Sequence, residues 1–170
     1  LVKVKVNVGS AICSVVSITD SEIICLLAIG SAGTHNVVVH HADLGDSNID
    51  IEYTFALSIS SLSHVEGSIG GGLELVISGA GFSNSSTVSV CGNPCPVIAS
   101  QLDSLTCVLP PSDTKNADSI CTLTVTENSV TADSSFSYQL ALTPSLTSSS
   151  PLRGGTDGGT LLTIIGTGFP

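Results

Sequence analysis

The chain has no tryptophan and no methionine, and its 170 residues include only four Lys and Arg, four Phe and two Tyr. Each scarcity removes a class of function. Nucleic acid is held mainly by cations that displace its counterions, and a formal net charge of −10, from 14 acidic residues against four basic ones, repels it. So few aromatic side chains leave little to anchor an interface hot spot or stack against a sugar. No apolar run approaches the roughly 20 residues that cross a bilayer. Leu1 opens no signal peptide, so the chain is expected to be a soluble piece without its targeting segment.

Catalytic and metal signatures are also missing. The many serines include no Gly-x-Ser-x-Gly elbow with a base-orienting pair, and Gly70-Gly71-Gly72 opens no helix that could cradle phosphate. His35, His40 and His41 lack a cysteine or carboxylate cluster to complete a tetrahedron, and adjacent strand residues face opposite ways. Asp43, Asp46, Asp50 and Glu52 offer oxygens for calcium, but not at EF-hand spacing, and read as a solvated acidic turn. No enzyme, metal or cofactor is expected.

What is present is β composition. Hydrophobic residues are 42%, charged residues 11%, and Ser, Thr and Val are abundant, which suits half-buried strands rather than helices. A mean hydropathy of +0.49 with so little charge points to a surface covered by a neighbouring subunit or by glycans.

Gly70–Phe82 organises the chain, because a near copy occupies Asp157–Phe169. In each, paired glycines (Gly71-Gly72, Gly158-Gly159) lead into an apolar strand that ends in Gly-x-Gly-Phe. Phe82 and Phe169 stand 87 positions apart, the size of one small domain. The remainder follows that period. Val2, Val4, Val6 and Val8 alternate with Lys3, Lys5 and Asn7 as a strand with one wet face, and Thr87–Val90 matches them. Ala11–Ile18 and Glu22–Ala28 read as strands carrying Cys13 and Cys25, twelve positions apart, as are Cys95 and Cys107. Val37-Val38-Val39 starts another strand, Asp43–Asn48 is a turn, and Ile49–Phe55 alternates again. Ile120–Thr126 and Ser134–Tyr138 close the second unit, with Phe136 and Tyr138 answering Tyr53 and Phe55. Ser58–Ser68 reads as a polar connection and Thr143–Pro151 as a Ser/Thr-rich linker.

Six cysteines in matched pairs within small β units argue for disulfides and an oxidising compartment. The zinc alternative needs Cys-x-x-Cys knuckles, and Cys91-x-x-x-Cys95 is the only close pair. Cys91 and Cys121 have no counterparts in the first unit and pair by exclusion. Asn84-Ser85-Ser86 is an N-glycosylation sequon in an expected loop.

The Gly-Gly, Gly-x-Gly-Phe, valine-strand, Cys-x11-Cys and Pro110-Pro111 pattern resembles the IPT/TIG family of immunoglobulin-like domains. Its nearest flavour is the long arrays of fibrocystin-like and plexin-type ectodomains. The resemblance implies all-β tandem sandwiches of about seven strands each, extracellular, used for adhesion, receptor architecture or fibre building. It does not imply catalysis. Three pieces result: 1–57, a domain lacking its first strands; 58–143, a complete domain; and 144–170, a linker with the first strands of a following domain. The outer pieces are complementary. Phe82 precedes Cys95 by 13 positions, and if Pro170 ran directly into Leu1, Phe169 would precede Cys13 by 14. The sharpest expectation is a head-to-tail array, by chain continuity or by strand exchange between copies. Gly158, Gly159, Leu161, Leu162, Ile164, Ile165 and Phe169 of one copy would then meet a face formed by Val4, Val6 and Phe55 of the next. An adhesion or receptor ectodomain fragment that binds a protein or glycan is the alternative.

Overall fold

The computed structural model describes residues 3–48, 50–114 and 117–169. Leu1, Val2, Ile49 and Pro170, which the strand and repeat readings include, lie outside the described residues. The first unit contains β1 (Val4–Val8), β2 (Ala11–Ile18), β3 (Ile23–Leu27), β4 (Gly33–His41), β5 (Gly45–Asp46) and β6 (Ile51–Phe55). They form a single sheet in the order β3-β2-β1-β4-β5, with β6 also on β4. The second unit contains β7 (Ser58–Leu62), β8 (Glu66–Ser68), β9 (Glu74–Ala80), β10 (Thr87–Val90), β11 (Asn93–Cys95), β12 (Val97–Ser100), β13 (Ser104–Val108), β14 (Ser119–Glu127) and β15 (Val130–Gln139). These make two sheets, β11-β10-β14-β15-β8 and β12-β13-β9-β7, packed face to face. β16 (Ser145–Ser150) and β17 (Thr163–Thr167) then form a separate hairpin.

The second unit is closed by alternation on both sheets. Leu75 and Ile77 of β9, Leu105 and Cys107 of β13, Leu123 and Val125 of β14, and Phe136 and Tyr138 of β15 point inward and are buried with Phe82. At roughly 1.5–3 kcal/mol per buried large apolar side chain, this core is the principal stabilising term of the chain. Phe136 and Tyr138 meet edge to face, with ring centroids 5.4 Å apart. The first unit repeats the pair, with Tyr53 and Phe55 at 5.0 Å.

Register makes the two units equivalent residue by residue. Val6 pairs with Cys13 and Val39, as Val88 pairs with Cys95 and Val125. Val15, Ser17 and Ile18 face Cys25, Ile24 and Ile23, as Val97, Ala99 and Ser100 face Cys107, Thr106 and Leu105, and each ladder shifts register at the same place. One difference has a chemical cause. β2 stays in one sheet, whereas the second unit splits the same stretch between β11 and β12, which belong to different sheets. Pro94 and Pro96 flank that switch; Pro96 has no N–H to continue a ladder, while Ser14 in the first unit has one.

Two expectations need correction. Ser58–Ser68 is not a bare connection: it supplies β7 and β8. Thr143–Pro151 is not a linker throughout, because Ser145–Ser150 is β16. Serine-rich sequence carries little strand signal of its own, but the ladder needs only backbone groups. Ile59 and Leu62 of β7 additionally pack against the core.

Candidate functional site

The hairpin copies the opening strands of the second unit without their setting. Ser58, Ile59, Ser61 and Leu62 of β7 face Ala80, Gly79, Ser78 and Ile77 of β9. Ser145, Leu146, Ser148 and Ser149 of β16 face Thr167, Gly166, Ile165 and Ile164 of β17, with the same register shift. The close contact that demands glycine is also copied. A Cβ at Gly79 would overlap the Ser58 carbonyl oxygen and crowd the Phe82 ring, and one at Gly166 would do the same to Ser145 and Phe169. Burial separates the copies. Leu75, Ile77 and Phe82 are fully covered, yet their equivalents Leu162, Ile164 and Phe169 are 52%, 49% and 49% exposed. Leu146, Leu161 and Ile165 are exposed as well, and Gly158 and Gly159 hold left-handed turns with φ of +80° and +76°.

The first unit shows the converse. Ile23, Cys25, Leu27, Val37 and Val39 occupy the positions of the fully buried Leu105, Cys107, Leu109, Leu123 and Val125, yet are only half-buried. Among the described residues nothing covers them as β9 covers the second unit, and β3, the counterpart of β13, is an open edge. The face expected from Val4, Val6 and Phe55 is not a single patch. Val4 pairs with His41 and Phe55 with Gly33, at opposite ends of β4, some 27 Å apart at strand rise. Val6 is already buried. Val4 and Val6 border a cavity of about 470 Å³ with Cys13 and Val15. Phe55 borders another, about 230 Å³, with Leu27, Gly30, Ala80 and Gly81.

That second cavity lies at a built junction. Ala32, fully buried, donates its N–H to the Gly81 carbonyl at 2.7 Å and accepts from Asn128 Nδ2 at 2.9 Å. Gly81 has φ +87°, and a Cβ there would strike the Ala56 carbonyl and the Ala32 methyl. Asn128 is itself left-handed, φ +46°, a conformation its short polar side chain tolerates. Beside it the Glu127 carboxylate is buried and accepts three hydroxyls: Ser83 and Ser85 on Oε1 at 2.8 and 3.0 Å, and Ser86 on Oε2 at 2.7 Å. Asn84 is exposed at the tip of this clamped turn. Residue types did not single out Ala32, Glu127 or Asn128, and Gly81 stood out only as part of the Gly-x-Gly-Phe motif. The alternation Leu123, Val125, Glu127 already aimed that carboxylate inward, and was the available signal.

The cysteines form three bridges, Cys13–Cys25, Cys91–Cys121 and Cys95–Cys107, with Cα separations of 5.4, 5.1 and 5.6 Å. Cys95 on β11 and Cys107 on β13 tie the two sheets together. The second unit's extra bridge has a shadow in the first. Cys91, φ +53°, donates its N–H to the Thr122 carbonyl; Gly9, φ +56°, donates to Asn36, and a Cβ on Gly9 would lie 2.7 Å from the His35 ring. Gly9 and His35 therefore stand where Cys91 and Cys121 do. His35 also bonds the Ser31 carbonyl through Nε2 at 2.9 Å and meets Phe55 edge-on.

The acidic turn is internally occupied: Asp43 pairs with Lys3, and Asp46 with His40 at 2.6 Å. No cluster of three or more His, Cys, Asp or Glu gathers among the described residues, and no helix among them is long and apolar enough to cross a membrane.

Two facing sheets, an inter-sheet disulfide and paired aromatics on the last strand define an immunoglobulin-like β-sandwich protein built from tandem units. The chain belongs to the IPT/TIG domain family, whose model matches residues 2–55 and 57–141. It is 34% identical to mouse Fibrocystin-L over 98% of its own length and 31% identical to the human protein over 99%. It spans about 4% of the length of each of these curated relatives. The fold also resembles the extracellular region of plexin A4, with TM-score 0.51, 19% identity, and coverage of 96% of this chain and 15% of that one.

Proposed function

We propose that the chain is a structural repeat of an extracellular fibre, coat or appendage made of tandem immunoglobulin-like units. Its partners are copies of itself or neighbouring domains of the same kind, joined head to tail by strand complementation or by chain continuity. The observation that carries this reading is repetition of one plan along the chain: ladder registers, a cystine and paired aromatics recur in both units, and β16–β17 repeats β7–β9 once more. The junction at Ala32 supports it, since one backbone-to-backbone bond to Gly81 and one bond from the short Asn128 side chain hold one unit on the next. Disulfides suit an oxidising exterior. Asn84, exposed on its turn, is the proposed glycan site. The chemistry is architectural, not catalytic.

A second reading, a segment of an adhesion or receptor ectodomain that holds a protein or glycan, is favoured by the similarity to Fibrocystin-L and to the extracellular region of plexin A4. Negative-stain imaging with sedimentation of the purified chain separates the two. Long uniform filaments are expected, and short monomeric rods at all concentrations would refute the fibre reading in favour of the second.

A further inference from the structure

Resting on the assignment of Asn84 as the glycan site, we infer that its sequon is open to the transferring enzyme only before the second unit folds, so that occupancy is decided by a race between transfer and the docking of β14. The sequon admits only serine or threonine two positions after the asparagine, so that hydroxyl is part of what the enzyme reads. Folding sends the two groups in opposite directions. Asn84 is exposed, whereas Ser86 is only 6% exposed. The Ser86 Oγ donates to Glu127 Oε2 at 2.7 Å and accepts the Ser83 N–H at 2.9 Å. To engage it in the folded unit, an enzyme would have to open both bonds and leave a buried carboxylate short of a donor. The turn has little slack for that, because the Ser86 N–H also bonds the Ser83 carbonyl, which accepts the Ser100 hydroxyl at 2.6 Å as well.

The clamp is non-local, which gives it a moment of closing. Glu127 lies 41 positions beyond Ser86 and ends β14, whose ladder with β10 sets Thr126 opposite Thr87, the residue after Ser86. Until β14 pairs with β10, the hydroxyl has no carboxylate to meet. At roughly 5–20 residues per second, synthesis covers those 41 positions in about 2–8 s. The Cys91–Cys121 bridge, from the turn after β10 to β14, then makes the closure covalent. The transfer itself joins Asn84 Nδ2 to C1 of an oligosaccharide carried on a lipid diphosphate. The bond from C1 to the phosphate oxygen breaks, its electron pair leaves with the lipid diphosphate, and one amide proton is lost to a base.

Transfer onto the purified, unglycosylated full chain tests this against a sequon of the opposite kind. Gly158→Asn, with Gly159 and Thr160, completes a sequon whose three positions are all exposed; φ at 158 is +80°, which asparagine tolerates, and an added Cβ meets no atom within 4 Å. The variant is offered to solubilised oligosaccharyltransferase and a lipid-diphosphate oligosaccharide in two states: folded with its three bridges, and reduced, alkylated and unfolded. Peptide mapping reads each site. Position 158 should be modified in both states. Asn84 should be modified in the unfolded chain and at least about tenfold less in the folded one, since a hydrogen bond to a charged group must first be opened. Equal transfer to Asn84 in both states would overturn the masking. If the folded chain accepts sugar at neither position while the unfolded chain accepts it at both, compactness protects the site and the role given to Ser86 is overturned. If position 158 is modified but Asn84 never is, even unfolded, the glycan site itself is lost.

Discussion

If Gly9 and His35 occupy the place of Cys91 and Cys121, cysteines installed there should bridge. The geometry is already set, since both turn residues are left-handed, with φ of +56° and +53°, and both make the same backbone hydrogen bond across to β4 or β14. Because the Cys13–Cys25 bridge already closes 12 of the 26 positions between residues 9 and 35, the new bond closes an effective loop of about 15 and contributes about 3 kcal/mol on the chain-entropy estimate. Against it stand about 1 kcal/mol for a side chain at positive φ, about 1 kcal/mol for the lost hydrogen bond from His35 to the Ser31 carbonyl, and about 0.5 kcal/mol for its edge contact with Phe55. Compared with the parent, G9C/H35C should therefore gain only about 0.5 kcal/mol. Compared with G9S/H35S, which bears the same losses, it should gain about 3 kcal/mol, or about 12 °C and upward in the melting transition of so small a unit. Calorimetry of both doubles gives the difference, and peptide mapping identifies the bond. Free thiols, or exchange with Cys13 and Cys25, would refute the equivalence of the two units at this turn.

Asn128→Gly keeps the left-handed turn and removes the bond to Ala32; the second unit should melt nearly unchanged while small-angle scattering shows a broadened distribution of inter-unit angles. The Tyr138 phenol, which donates to the Pro110 carbonyl at 2.7 Å, is pushed up to about 12, first by burial and then by the charge of Asp113. Because the folded state favours the neutral phenol, its contribution is complete below the ordinary tyrosine value near 10 and is lost as pH rises through about 12; Tyr138→Phe should flatten the fall in stability across that window in alkaline melts. Expression in a secretory eukaryotic cell should place one enzyme-removable N-glycan on the chain, and Asn84→Gln should abolish the mobility shift on deglycosylation.

Much of the plan was legible in the sequence because period-2 alternation and half-turn glycines speak through side-chain type. Val4, Val6 and Val8 announce β1, and Gly79-x-Gly81-Phe82 announces a corner where backbone meets backbone. What escaped was carried by groups that every residue shares. Ser58–Leu62 and Ser145–Ser150 are strands because Glu74–Ala80 and Thr163–Thr167 offer them a ladder, not because serine favours extension. The junction escaped for the same reason, since Ala32 contributes an amide, a carbonyl and a methyl. The kinship of Gly9 and His35 with a cystine could not be read from residue types at all. It exists only in φ and register.

The nested bridges of the second unit also set how far this chain could lengthen under tension. Cys91–Cys121 spans 30 positions and encloses Cys95–Cys107, while its ends stay 5.1 Å apart. Were that unit pulled open, about 100 Å of backbone would stay locked inside the ring instead of adding to contour length, at roughly 3.3–3.6 Å per extended residue. The ring sits between β10 and β14, so each unfolding event would release two short arms and leave a covalent knot between them. A series of such units would yield in small steps and recoil around a loop that never came undone.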